Sequence, residues 1–101
     1  MKLADGIDFA LGMTVYLPIV DTDEFRRIET SPTEHEIDTF IYEGRHYHFI
    51  VLKGSRDGTD IGFFYSSPAA IIDARIASLR RDIAGKQAEV ERLEAFKKMG
   101  S

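Results

Sequence analysis

The sequence predicts an α+β fold: a small antiparallel sheet or barrel over about residues 12–66, then a long C-terminal helix. Two observations carry that prediction. Between Gly12 and Tyr65 the apolar runs are short, β-branched and aromatic, with the period-two alternation of strands, whereas from Pro68 onward apolar residues recur in steps of three and four. The change falls at Ser67-Pro68, where a good helix N-cap meets a residue suited to the first helical position. At 101 residues, 44% hydrophobic and 30% charged, the composition is globular and sufficient for one core. The expected division is residues 1–66 for the β part and 67–99 for the helix, together one compact domain.

The elements follow in order. "GMTVYLPIV" (Gly12 to Val20) reads as a strand with Pro18 at an edge or end. "DTDEFRRIETSPTEHE" is polar and reads as a strand or irregular loop, although Asp21 followed by Glu24 also fits a capping box that would start a short helix. "EIDTFIY" and "RHYHFIVL" are strand-like runs separated by Glu43-Gly44, the signature of a two-residue hairpin turn. "KGSRDGT" reads as a loop and "DIGFFY" as a further strand. Three or four consecutive antiparallel strands in so short a span suggest a meander or a small SH3-like barrel. The helical segment from Pro68 to about Met99 has no further proline; at ~1.5 Å per residue it would be ~48 Å long. Gly85 is the expected place for a bend, costing about 1 kcal/mol relative to alanine.

Composition excludes several functions. Cysteine is absent, which removes disulfides, thiolate nucleophiles and zinc–sulfur sites and fits a reducing compartment. There is no asparagine, hence no N-glycosylation acceptor. The opening "MKLADGIDFA" is broken by Asp5 and Asp8 and does not read as a secretory signal, and no run is long enough to span a membrane, so a cytoplasmic protein is expected. Acids concentrate early: residues 1–44 carry three bases against ten acids, residues 45–67 three against two, and residues 68–101 seven against five. Such a face repels phosphate backbones and attracts basic protein surfaces, with Asp21, Asp23 and Glu24 as the candidate acidic contact.

Four stretches could carry catalytic or ligand chemistry. A Glu43-Gly44 turn pairs Tyr42 with Arg45, Ile41 with His46, Thr39 with His48 and Ile37 with Ile50, which puts His46 and His48 on one face about 7 Å apart. That spacing suits two metal ligands. His35 shares the face but lies roughly 13 Å from His48 along the strands, and only the loop acids Asp57, Asp60 or Asp23 remain to complete a set. The favoured reading is an ordinary strand with half-exposed histidines and with Tyr47 and Phe49 in the core; a metal-dependent hydrolase using His46 and His48 ranks third among functions. Ser55 in "KGSRDG" lacks the Lys-Ser/Thr ending and following helix of a phosphate loop, and no Gly-X-Ser-X-Gly elbow exists. "RDGTD" reads as a turn rather than as paired catalytic carboxylates. Tyr42, Tyr47, Phe63, Phe64 and Tyr65 offer stacking faces for nucleic acid, which the acidic first half opposes. No enzyme activity, metal or cofactor is expected.

The helix is the most informative segment. Ala69, Ile72, Ile76, Leu79, Ile83, Lys86, Val90, Leu93 and Lys97 form a heptad seam broken at Lys86, with Phe96 beside it. The same stripe would also serve a helix laid across its own sheet. A helix of this length outreaches a short sheet, so Val90, Leu93 and Phe96 call for a partner. A parallel homodimer would face Arg75 with Arg80 and Glu89 with Glu94, both repulsive, whereas an antiparallel pair centred near Gln87 sets Arg80 against Glu94, although Asp82 then approaches Glu89. The expectation is an antiparallel homodimer, with another protein as the other candidate partner for the seam.

Taken together, "GMTVYLPI", "EIDTFIYEGRHYHFIV" and "DIGFFYSSPAAII" resemble small phage and prophage proteins in which a short SH3-like barrel ends in an aromatic-Ser/Thr step, here Tyr65-Ser66-Ser67, and a helix starts at once. The resemblance covers about residues 12–76. Where such families commonly carry "EEA", this chain has Pro68-Ala69-Ala70, and its helix is longer. The resemblance implies a phage-borne accessory protein that binds another protein, with inhibition of bacterial host defence, anti-CRISPR-like, as the specific expectation and a nucleic-acid-binding barrel as the alternative.

Overall fold

The computed structural model describes residues 1–100 and contains two compact units, Met1–Ile71 and a second from Ile72 onward. In the first unit the strands are β1 (Thr14–Pro18), β2 (Phe25–Glu29), β3 (His35–Tyr42), β4 (Arg45–Leu52) and β5 (Gly58–Asp60), followed by a 3-10 turn at Ile61–Phe63. β1 pairs antiparallel with β2, and β3, β4 and β5 form a second antiparallel sheet in that order. After the 3-10 turn the chain returns to β1, where Tyr16 and Tyr65 exchange two backbone hydrogen bonds of 2.8 Å. The α+β architecture is the one the sequence predicts. Among the described residues no ladder closes the two sheets into a barrel.

One local reading is corrected and one open choice is decided. "DIGFFY" is not a strand: pairing with β4 is made earlier, by Gly58–Asp60, and Asp60 then accepts the Gly62 amide at 2.8 Å, which caps a 3-10 turn instead of prolonging the ladder. In "DTDEFRRIETSPTEHE" the expected strand forms, and the alternative capping box at Asp21 starts no helix, because Asp21 sits at φ 63° in the connection into β2. A residue with that φ leaves the helical path, and "FRRIE" becomes a strand.

Leu3, Phe9, Val15, Ile50, Ile61 and Phe64 form the buried core, and Leu11, Met13, Leu17, Ile28 and Ile37 pack against it. Val15 and Phe64 lose essentially all their exposure, so each contributes about 1.5–3 kcal/mol of apolar burial. Leu3 and Phe9 come from the N-terminal segment, tied down by the Ala4 amide to the Phe64 carbonyl at 2.8 Å and by Asp5, whose Oδ2 accepts from both the Ser66 amide and the Ser66 hydroxyl. Burial opposes ionisation of Asp5, but the Ser66 and Ile7 donors outweigh it and hold its carboxyl below the usual carboxylate range. Buried polar groups are paired: Thr30 Oγ1 donates to the Met13 carbonyl at 2.6 Å and accepts the Gly12 amide at 3.0 Å, while His35 Nδ1 accepts the Ser31 amide at 3.2 Å.

The helix α1 (Pro68–Met99) begins in the first unit and continues through the second. Ser67 Oγ accepts the Ala70 amide at 3.1 Å, and Pro68 takes the position where a missing N–H costs nothing, as the sequence predicts. Lys97 and Lys98 complement the dipole in the last turn, and the helix continues unbroken through Gly85. None of its residues is buried. Among the described residues no helix is long and apolar enough to cross a membrane.

Candidate interaction surfaces

The β3–β4 hairpin carries most of the candidate chemistry, and its turn decides where each side chain points. Glu43 and Gly44 have φ of 50° and 77°, the two left-handed residues that a tight turn matched to strand twist requires. The register then pairs Tyr42 with Arg45, Ile41 with His46, Thr39 with His48 and Ile37 with Ile50, residue for residue as the sequence predicts.

Alternation places Ile37, Thr39, Ile41, His46, His48 and Ile50 on one face. Its inner end is core, through Ile50 and Ile37. Towards the turn the face opens: Ile41 and His46 are exposed, and half-buried His48 has Nδ1 2.9 Å from Thr39 Oγ1, its cross-strand neighbour. His35 is buried against Ser31. The loop acids do not gather here either, since Asp60 caps the 3-10 turn and Asp57 lines the opposite face. Among the described residues no group of three or more His, Asp or Glu side chains is placed to hold a metal ion. Ser55 accepts the Asp57 amide at 3.1 Å, so the β4–β5 loop satisfies its own backbone.

The opposite face corrects the expectation that Tyr47 and Phe49 are core. They are half-buried on the outer side of the sheet, in a stacked row with Phe40: the Phe40–Phe49 centroids are 4.9 Å apart at 16° and the Phe40–Tyr47 centroids 5.7 Å apart at 27°. The reason is charge. Glu36, Asp38 and Arg45 all alternate onto this face, whereas the histidine face carries no Asp, Glu, Lys or Arg, so the histidine face takes the core. Beside the row lies an open groove of about 370 Å³ lined by Asp38, Phe40, Phe49, Val51, Arg56, Asp57 and Gly58. Gly58 pairs with Val51, and a Cβ there would come within 2.3 Å of Val51 Cγ1. The groove therefore depends on a residue without a side chain. The sequence reading missed it; the clustering of charges on the aromatic face was the available signal.

The sequence-predicted interaction residues fall in two other places. Asp21, Asp23 and Glu24 are exposed in the β1–β2 connection, which Thr22 shapes by donating to the Ile19 carbonyl and accepting the Glu24 amide, both at 3.1 Å. On α1, Ile72, Ile76, Leu79, Ile83, Val90, Leu93 and Phe96 are all exposed, from 42% at Ile76 to 74% at Phe96. No protein-family model matches the chain, and neither a curated protein nor a solved structure is found to match it.

Proposed function

We propose that this protein is a non-catalytic binding protein that works through protein–protein contacts, with α1 as its association surface. The observation that carries the reading is the apolar seam: seven large side chains on a helix that buries none of its residues. Single exposed apolar residues are ordinary; a stripe of this length, even with one break, marks an interface. Ile76, Ile83 and Val90 alternate with Ile72, Leu79 and Leu93 along it, the spacing of a seam that packs against another helix. A straight helix drifts ~20° per heptad from such a repeat, and supercoiling with a second helix removes the drift. We take the second helix to be another copy, antiparallel, because that arrangement faces Arg80 with Glu94 and leaves one like-charge approach, Asp82 to Glu89, where the parallel one has two. Lys86 interrupts the seam and fixes register at a cost in affinity. Light scattering, in the wild type and in Leu93→Asp, tests it.

The wider role is a phage-type accessory protein, and inhibition of a host defence complex is the specific activity we propose. The resemblance to small prophage proteins motivates it, through Tyr65-Ser66-Ser67 and the helix that starts at once after it. Capture of a basic host protein, weakened by reversing Asp21, Asp23 or Glu24, supports this role; no such capture sinks it. The outward aromatic row favours a second reading, a stacking platform for single-stranded nucleic acid. Asp38 and Asp57 beside the row oppose it, and steeply salt-dependent binding to an oligonucleotide would reverse the order. We also propose that no metal is required. Stoichiometric zinc, iron or manganese in protein purified without chelator, lost in His46→Ala/His48→Ala, would favour a hydrolase instead.

A further inference from the structure

The groove on the outer sheet face has a composition that selects its occupant. Its apolar lining is Val51, 2% exposed, and the nearly parallel pair Phe40–Phe49. Phe40 remains 50% exposed although it stacks with both Phe49 and Tyr47. At the rim stand the carboxylates of Asp38 and Asp57, neither in an ion pair among the described residues, against the single guanidinium of Arg56. The apolar lining would accept many ligands, but the charges narrow the choice. An anion meets two carboxylates and one cation, while a neutral apolar group leaves both carboxylates unused. A cation gains twice, from the negative ring faces and from the carboxylates. Between the two protein cations, the planar guanidinium fits better, because it stacks flat on a ring while its edge N–H groups reach out to carboxylate oxygens. An ammonium is more strongly hydrated and has no plane to stack.

We propose that this groove is a binding site for an arginine side chain presented by an extended segment of a partner protein, stacked against Phe40 and Phe49 and bonded to Asp38 and Asp57. It specifies the chemistry of a partner, and it stands on the sheet face without requiring self-association of the helix. Gly58 opposite Val51 keeps the groove open for the arginine stem, and Arg56 sets the upper limit on affinity by like-charge repulsion.

The test is a titration of the full chain, wild type and Leu93→Asp alike, with a short arginine-containing peptide, read by backbone amide NMR shifts. Matched peptides with lysine or glutamate in place of arginine are the controls. The site predicts shifts concentrated at Phe49, Val51, Asp57 and Gly58, with arginine bound more tightly than lysine and no shifts from glutamate. Asp38→Asn and Asp57→Asn should each weaken binding about two- to fivefold, Phe40→Ala by a similar factor, and Arg56→Gln should tighten it. Arginine-peptide shifts that miss these residues, tighter binding of the glutamate peptide, or affinities unchanged by both Asp→Asn substitutions would overturn the assignment. Because Leu93→Asp alters only the helix seam, a monomeric chain that still binds the peptide would separate this proposal from the proposed association.

Discussion

The first 71 residues and the helix that follows dispose of their apolar side chains in opposite ways. In the first unit, six core residues drawn from the N-terminal segment, β1, β4, the 3-10 turn and Phe64 enclose one another, and buried Thr30 and His35 find partners. From Ile72 on, a helix with eight large apolar residues buries none. Most helical stability in proteins comes from packing an apolar face. The difference teaches that one region is stable by internal contacts and the other calls for external ones. Substitutions in the two regions should therefore differ in kind: the first concentration-independent, the second concentration-dependent.

The largest effect expected in the first unit is at Phe64. Phe64→Ala should cost about 3–5 kcal/mol, seen as a lower urea midpoint that is the same at every protein concentration. A midpoint that recovers on concentrating the protein would erase the contrast between the regions. Next comes Gly58→Ala, which must displace Val51 or part β5 from β4; a loss of about 1–3 kcal/mol is expected, together with lost amide protection at Gly58–Asp60. An unchanged midpoint would mean the close approach is easily relaxed.

Smaller effects sharpen the same picture. Glu43→Asn should add about 0.5–1 kcal/mol of stability, seen as a higher urea midpoint, since asparagine tolerates the left-handed conformation that costs other residues ~1–2 kcal/mol. The smallest effect is the acid response of Asp5. Its folded pKa lies below the ordinary value, so its contribution is present above the unfolded pKa of about 3.9 and is lost as pH falls through the folded value. Asp5→Asn should be less stable than wild type near neutrality, with the gap closing below about pH 4. A gap that widens in acid would contradict the assignment of Ser66 as the stabilising donor.

Much of this was legible because local chemistry decided it. Ser67-Pro68 announced the helix, and Glu43-Gly44 set a hairpin register that holds over all eight pairs. What escaped depended on contacts distant in sequence. Leu3 and Phe9 enter the core from a segment with no strand pattern, and "DIGFFY" gave way to a 3-10 turn once β5 formed upstream of it. Alternation identified the two faces of the hairpin but not which faced inward, and a rule preferring aromatic cores chose the wrong one. The location of Glu36, Asp38 and Arg45 on the aromatic face would have corrected that choice, and with it the view of the groove.

The claim that the helix seam is an intermolecular surface is tested most directly by light scattering at micromolar concentration on the wild type and Leu93→Asp. The account predicts a wild-type mass twice that of the chain, falling to the monomer on dilution, and a monomer for Leu93→Asp, with the chemical shifts of Val15, Ile50 and Phe64 unchanged. Burial of Leu93 contributes about 1.5–3 kcal/mol from each copy, enough for its loss to dissociate a micromolar dimer. A wild-type mass equal to one chain, unaltered by Leu93→Asp, would contradict self-association through the seam.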